Sequence, residues 1–158
     1  MQPFRFHSIY QPRIWGGQSM RTMLGRELPD RETAYGEAWE ISDRPEAMSI
    51  VKDGEWEGMP LHRLWEEHRQ EIFGPGYERF PRFPLLCKIL DARENLSVQV
   101  HPPERTAAAR QGEVKNEIWY VLHASPDALI YGGMEENATL PDIRHAAETG
   151  QMEQLIRS

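Results

Sequence analysis

The sequence predicts a mainly β protein with short helices, an α+β chain built around an antiparallel sandwich or barrel. Three observations carry that expectation. The 12 glycines and 12 prolines are scattered through the 158 residues with no internal repeat, which is the punctuation of many turns between short strands. The segment Ser97–His101 alternates, so Ser97, Gln99 and His101 share one face while Val98 and Val100 occupy the other. Polar residues facing one way and valines the other suit a barrel strand whose polar face lines a cavity. Finally, a series of strand-like segments gives way to a helical tail.

Each element has its own local reason. Phe4–Ile9 alternates apolar and polar residues and reads as a strand. Arg13-Ile14-Trp15-Gly16-Gly17 reads as a turn carrying an exposed or clamping tryptophan. Strands are expected at Glu37–Ser42 and Met48–Lys52, around an Asp43-Arg44-Pro45 turn. Leu61, Leu64, Trp65, His68 and Ile72 recur at helical spacing, with Pro60 before them and Gly74-Pro75-Gly76 after, so 61–72 is an amphipathic helix. Further strands are expected at Leu85–Asp91, Ser97–His101, Glu117–Leu122 and Ala128–Tyr131. A short alanine-rich helix, 104–110, falls between two of them. Thr139 and Asp142 have the spacing of a capping box, opening a helix that Gly150 ends; a second short helix is expected over 151–157. A helical segment over 140–157 leaves the sheet short of strands, because such a sheet must close or cover its edges. The expectation is one domain, 1–158, truncated before its last strands.

Composition excludes some functions. Lys plus Arg number 18 against 25 Asp plus Glu, a net charge of −7, which is unfavourable for non-specific nucleic-acid binding. An anionic substrate stays open, since a basic pocket can sit in an acidic protein. No apolar run reaches the length of a membrane span and no secretory apolar core follows Met1, so the cytoplasm is expected. The single cysteine, Cys87, sits in the apolar run Pro84–Leu90 and reads as a small core residue.

Chemistry concentrates in two segments. If Lys115–Tyr120 pairs antiparallel with 97–101, Glu117 approaches Gln99 and His101, and Lys115 shares Glu117's face. Amide oxygen, imidazole nitrogen and carboxylate oxygen all serve zinc. The plain alternative is that Gln99 and His101 are solvated residues of a half-buried strand and Glu117 a surface carboxylate. Lys88 interrupts the apolar run Leu85–Leu90; it either snorkels to solvent or faces a charged cavity.

Three blocks in order, Pro84–Ala92, Leu96–Pro102 and Lys115–Tyr120, resemble type I phosphomannose isomerases in residue type and spacing. Arg13–Gly17 and Gly36–Ser42 resemble the opening of the short bacterial form. The resemblance runs from about residue 5 to the end of the chain. It implies a cupin-like antiparallel jelly-roll barrel, here incomplete at its C-terminus, and one zinc ion. It implies a cytoplasmic aldose–ketose isomerase interconverting mannose 6-phosphate and fructose 6-phosphate through an enediol or enediolate. By the same resemblance Gln99, His101 and Glu117 are metal ligands, Glu37, Lys88 and Ser97 bind substrate, and Lys115 is the catalytic candidate. Lys115 would carry the proton, or serve only as a counter-charge for Glu117 or the phosphate.

The family's fourth ligand, a histidine in a later segment, has no match, nor has a later pocket arginine. His123 would lie roughly 20 Å beyond Glu117 on a straight strand. His7, His62, His68 and His145 fall in other elements and make poor substitutes. The chain taken alone is therefore expected to be a fragment with an incomplete site. A non-catalytic cupin module binding a metal or a sugar phosphate is the alternative. An iron oxygenase is disfavoured by the missing second histidine and by the lysines on the polar face.

Overall fold

A computed structural model describes residues 3–158, in two compact units, the first ending at Leu96 and the second spanning Ser97–Ser158. The protein is a small α+β chain with antiparallel sheets and few helices.

The first unit is built on a three-stranded sheet in the order β1 (Ile9–Gly17), β2 (Tyr35–Ile41), β5 (Cys87–Leu90). β2 lies in the middle, with both neighbours antiparallel to it. Tyr10, Ala38 and Ile89 stand opposite one another across the three strands. With Met20, Tyr35 and Leu28 they form the core cluster. Met20 comes from the short helix α1 (Ser19–Thr22), and its N–H donates to the buried Asp91 carboxylate at 2.8 Å. A hairpin of β3 (Asp43–Arg44) and β4 (Ala47–Met48) follows β2.

The helix α2 runs Leu61–Phe73, against the expected 61–72, with an irregular turn at His68. Its buried residues Leu61, Leu64 and Trp65 are those the spacing nominates. Trp65 gathers an aromatic cluster, with ring centroids of Phe73, Phe83 and Tyr77 at 5.1, 5.6 and 6.1 Å. Its Nε1 donates to the Phe80 carbonyl at 3.1 Å.

Phe4–Ile9 is no continuous strand; Phe6 makes a single bridge to Val51, and the ladder starts at Ile9. Met48–Lys52 contributes β4 and isolated bridges at Ile50 and Val51. Arg13–Gly17 lies inside β1 and is no turn. The register shifts at Gln11/Pro12, where Gly36 is the extra residue on β2, and again between Pro12 and Gly17, where β1 bulges and continues. Cys87 is exposed. It has the parity of the core residue Ile89 but stands at the end of β5, where the register against β2 shifts between Trp39 and Ile41.

The second unit holds α3 (Glu104–Ala107) with a 3-10 turn at 108–110, then α4 (Leu140–Thr149) and a 3-10 turn at 152–155 in place of the helix expected over 151–157. The capping box of Thr139 and Asp142 forms as its spacing requires, and Gly150 ends α4 with φ 71°. Ser97–His101, Glu117–Leu122 and Ala128–Tyr131 are not strands. A strand exists through ladder bonds to a neighbour, and none of these segments pairs with another among the described residues. Their apolar side chains stay in solvent, with Ile118 100% exposed. No helix among the described residues is long and apolar enough to cross a membrane.

In the loop before β2, the Asp30 carboxylate accepts the backbone N–H of Thr33 at 2.6 Å, the Tyr35 hydroxyl at 2.8 Å and the Thr33 hydroxyl at 2.9 Å. These donors, the Thr33 N–H foremost, hold its pKa down to about 2. A depressed folded-state pKa stabilises above the ordinary carboxylate value and is lost as pH falls toward the folded one. Asp30→Asn should therefore lower the unfolding temperature at pH 7 but not near pH 2. An equal deficit at both pH values would refute this assignment.

Candidate functional site

The face of the sheet opposite Ala38 carries a cluster of charge. Glu37 and Trp39 are two apart on β2 and so point the same way, and the register sets Trp39 beside Lys88 on β5. The Lys88 ammonium lies 4.6 Å from the centre of the Trp39 ring and 3.3 Å from Glu37 Oε1. Glu37 Oε2 accepts from Trp39 Nε1 at 2.9 Å and from the Arg13 guanidinium at 2.7 Å. Burial pushes the Glu37 carboxyl up, but the Trp39 N–H, the two cations and the Lys88 hydrogen bond outweigh it and leave it below the usual carboxylate range. The Lys88 ammonium is paired with Glu37, and its side chain is partly exposed.

Glycines make this crossing possible. A Cβ on Gly36 would stand 2.6 Å from both Arg13 Cβ and Trp15 Cζ3. With hydrogen there, Arg13 and Trp15 lie across β2, and Arg13 reaches Glu37. A Cβ on Gly17 would collide with the Asp91 carboxylate, the group that ties down Met20. The Trp-Gly-Gly stretch is thus a close-approach device at the sheet's edge.

The second unit holds the other candidates. Gln99 Nε2 donates to Ser97 Oγ at 3.4 Å, consistent with their shared parity. The Lys115 ammonium pairs with Glu117 Oε1 at 3.0 Å, also as parity requires. Ser97, Gln99, His101, Lys115 and Glu117 are all exposed. Oxygen and imidazole donors of this kind suit zinc. As placed they do not form a metal centre: no group of three or more His, Cys, Asp or Glu converges among the described residues, and Glu117 is engaged by Lys115. The antiparallel pairing that would bring Glu117 to Gln99 and His101 is not formed. The histidines of α2 have other partners: His62 Nδ1 lies 3.0 Å from Asp43 Oδ1, and His68 packs edge-on to Trp56 at 4.4 Å.

Two members of the charged cluster escape sequence reasoning as functional residues. Trp39 had a signal, its two-residue spacing from Glu37. Arg13 carries only the signal of the Arg13–Gly17 resemblance, because its reach to Glu37 depends on the register shifts around Pro12 and on the bare Gly36.

The family profile for the phosphomannose isomerase type I catalytic domain matches residues 3–128. A mannose-6-phosphate isomerase of Streptococcus mutans is 40% identical over 157 residues, covering 98% of this chain and 48% of its own. Mannose-6-phosphate isomerase ManA of Bacillus subtilis is 38% identical over 160 residues, covering 99% of this chain and 48% of its own. The crystal structure of the mannose 6-phosphate isomerase from Bacillus subtilis superposes with a TM-score of 0.83 at 33% identity, covering 99% of this chain and 49% of that one. The chain spans about half the length of the curated relatives it matches.

Proposed function

The chain belongs to the type I phosphomannose isomerase family, and from that premise we propose that it serves the interconversion of mannose 6-phosphate and fructose 6-phosphate in the cytoplasm. The observation that supports this is the family match over residues 3–128, beside which Glu37, Trp39 and Lys88 gather charge on one sheet face. The chain contributes to a single cupin-type domain, a jelly roll in which the segments 97–101 and 117–122 become paired strands. In that arrangement Gln99, His101 and Glu117 supply ligands to one zinc ion. When bound, such a metal stabilises negative charge developing on a sugar oxygen.

The chain's own residues have separable tasks. Lys88 and Ser97 hold the phosphate, by charge and by hydrogen bond. Glu37 orients Lys88 and accepts from a sugar hydroxyl. Lys115 moves the proton between the adjacent sugar carbons of the enediol. Holding the phosphate at one end fixes the reacting carbons at the other, and orientation of that kind supplies much of an isomerase's rate.

The test uses a chimaera of this chain with the portion of the Bacillus subtilis relative that it does not cover, in a coupled assay with zinc. Interconversion is expected, with loss of turnover in His101→Ala. Lys88→Met should raise KM for the sugar phosphate about tenfold, the worth of one hydrogen bond to a charged group, with zinc content unchanged. A folded, zinc-loaded chimaera that binds mannose 6-phosphate without converting it would sink the isomerase reading and leave a non-catalytic binding module.

A further inference from the structure

The cluster on the sheet face contains one cation more than its carboxylate can balance. Arg13 and Lys88 each carry a positive charge, and among the described residues Glu37 is the one carboxylate that both contact. Their contacts are unequal. Arg13 takes Oε2 at 2.7 Å, an oxygen already bonded to Trp39 Nε1 at 2.9 Å. Lys88 meets only Oε1, at 3.3 Å, and rests its ammonium over the Trp39 ring at 4.6 Å. Arginine's forked, always-charged head suits the closer contact, and lysine's point charge suits a shared one. Both cations remain partly open to solvent, with side chains 35% and 25% exposed, while the Glu37 side chain is 10% exposed.

We propose that Arg13 is a positioning residue of the sugar-phosphate site: by neutralising Glu37 from the far side it leaves the Lys88 ammonium uncompensated and available to an incoming phosphate. The inference rests on the reading of Lys88 as a phosphate partner. Without Arg13, Glu37 and Lys88 would balance each other, and the cluster would present no net charge to an anion. The lysine would also swing toward Oε2 and shorten its contact. The competing role is purely structural, an ion pair that pins the bulged end of β1 to β2 across Gly36.

The experiment separates the two roles on the 158-residue chain itself, with inorganic phosphate as probe. The indole N–H of Trp39, which donates to Glu37, reports by NMR, its resonance assigned with Trp39→Phe. In the wild type it should shift and saturate as phosphate is added. Arg13→Gln should weaken phosphate binding about fivefold to tenfold, as expected for one charge in a partly solvated site. Arg13→Lys should restore binding to within about twofold. In the same Arg13→Gln sample the Glu37 carboxyl should titrate at higher pH than in the wild type, because a cation that favours its ionised form is gone. Raised Glu37 titration with unchanged phosphate affinity would overturn the proposal and leave Arg13 a structural pin. Absence of any saturable phosphate effect in the wild type would overturn it too. Phosphate binding that depends on Arg13, beside a chimaera without turnover, would reject the isomerase reading while this inference stands. An active chimaera beside Arg13-independent binding would reject this inference alone.

Discussion

The isolated chain, purified and supplied with zinc, should convert mannose 6-phosphate at least about 100-fold more slowly than the chimaera carrying the rest of the Bacillus subtilis relative. The cause lies in the second unit. Gln99, His101 and Glu117 sit on segments that make no ladder bonds among the described residues, their side chains in solvent. Glu117 is engaged by Lys115 at 3.0 Å. A site that must first order two unpaired segments loses the pre-organisation on which electrostatic stabilisation depends. Removing even one well-placed stabiliser of a developing oxyanion commonly costs about 3 kcal/mol, or ~100-fold in rate. The measurement is a coupled assay of both proteins at equal concentration and saturating sugar phosphate. Turnover by the isolated chain within about tenfold of the chimaera would show that the segments assemble unaided.

Trp65→Ala should destabilise the first unit by about 3–5 kcal/mol, the range for emptying a buried aromatic site. Trp65 is 1% exposed, is surrounded by Phe73, Tyr77 and Phe83, and donates its indole N–H to the Phe80 carbonyl. The substitution removes the ring around which the residues after α2 pack, and it strands a carbonyl acceptor that Arg69 reaches only at 3.4 Å. Against a typical native margin of about 5–15 kcal/mol, that loss is large. Urea unfolding followed by far-ultraviolet circular dichroism gives the number, and a change under about 1 kcal/mol would contradict the packing described. Ile118→Ala, at a side chain 100% exposed, is the control that should change little.

What is legible in the sequence is whatever depends on neighbours a few residues away. Helix α2 follows from apolar spacing, with Pro60 at its start and Gly74 past its end, and it appears within one residue of its expected limits. The capping box of Thr139 and Asp142 follows from a three-residue offset and forms as expected. The pairs Glu37 with Trp39, Gln99 with Ser97, and Lys115 with Glu117 follow from the two-residue period of extended chain. Family membership is legible too, because it rests on the order and type of residues in three blocks. Only tertiary structure decides which extended segments become strands, because ladder bonds join residues distant in sequence and pattern alone names no partner. Tyr35–Ile41 becomes the central strand because Ile9–Gly17 and Cys87–Leu90 flank it; Ser97–His101, with equally clear alternation, finds no neighbour among the described residues. The same physics places Arg13 on Glu37. Their contact needs a register shift at Pro12 and a missing Cβ at Gly36, two features that acquire meaning only once β1 lies against β2.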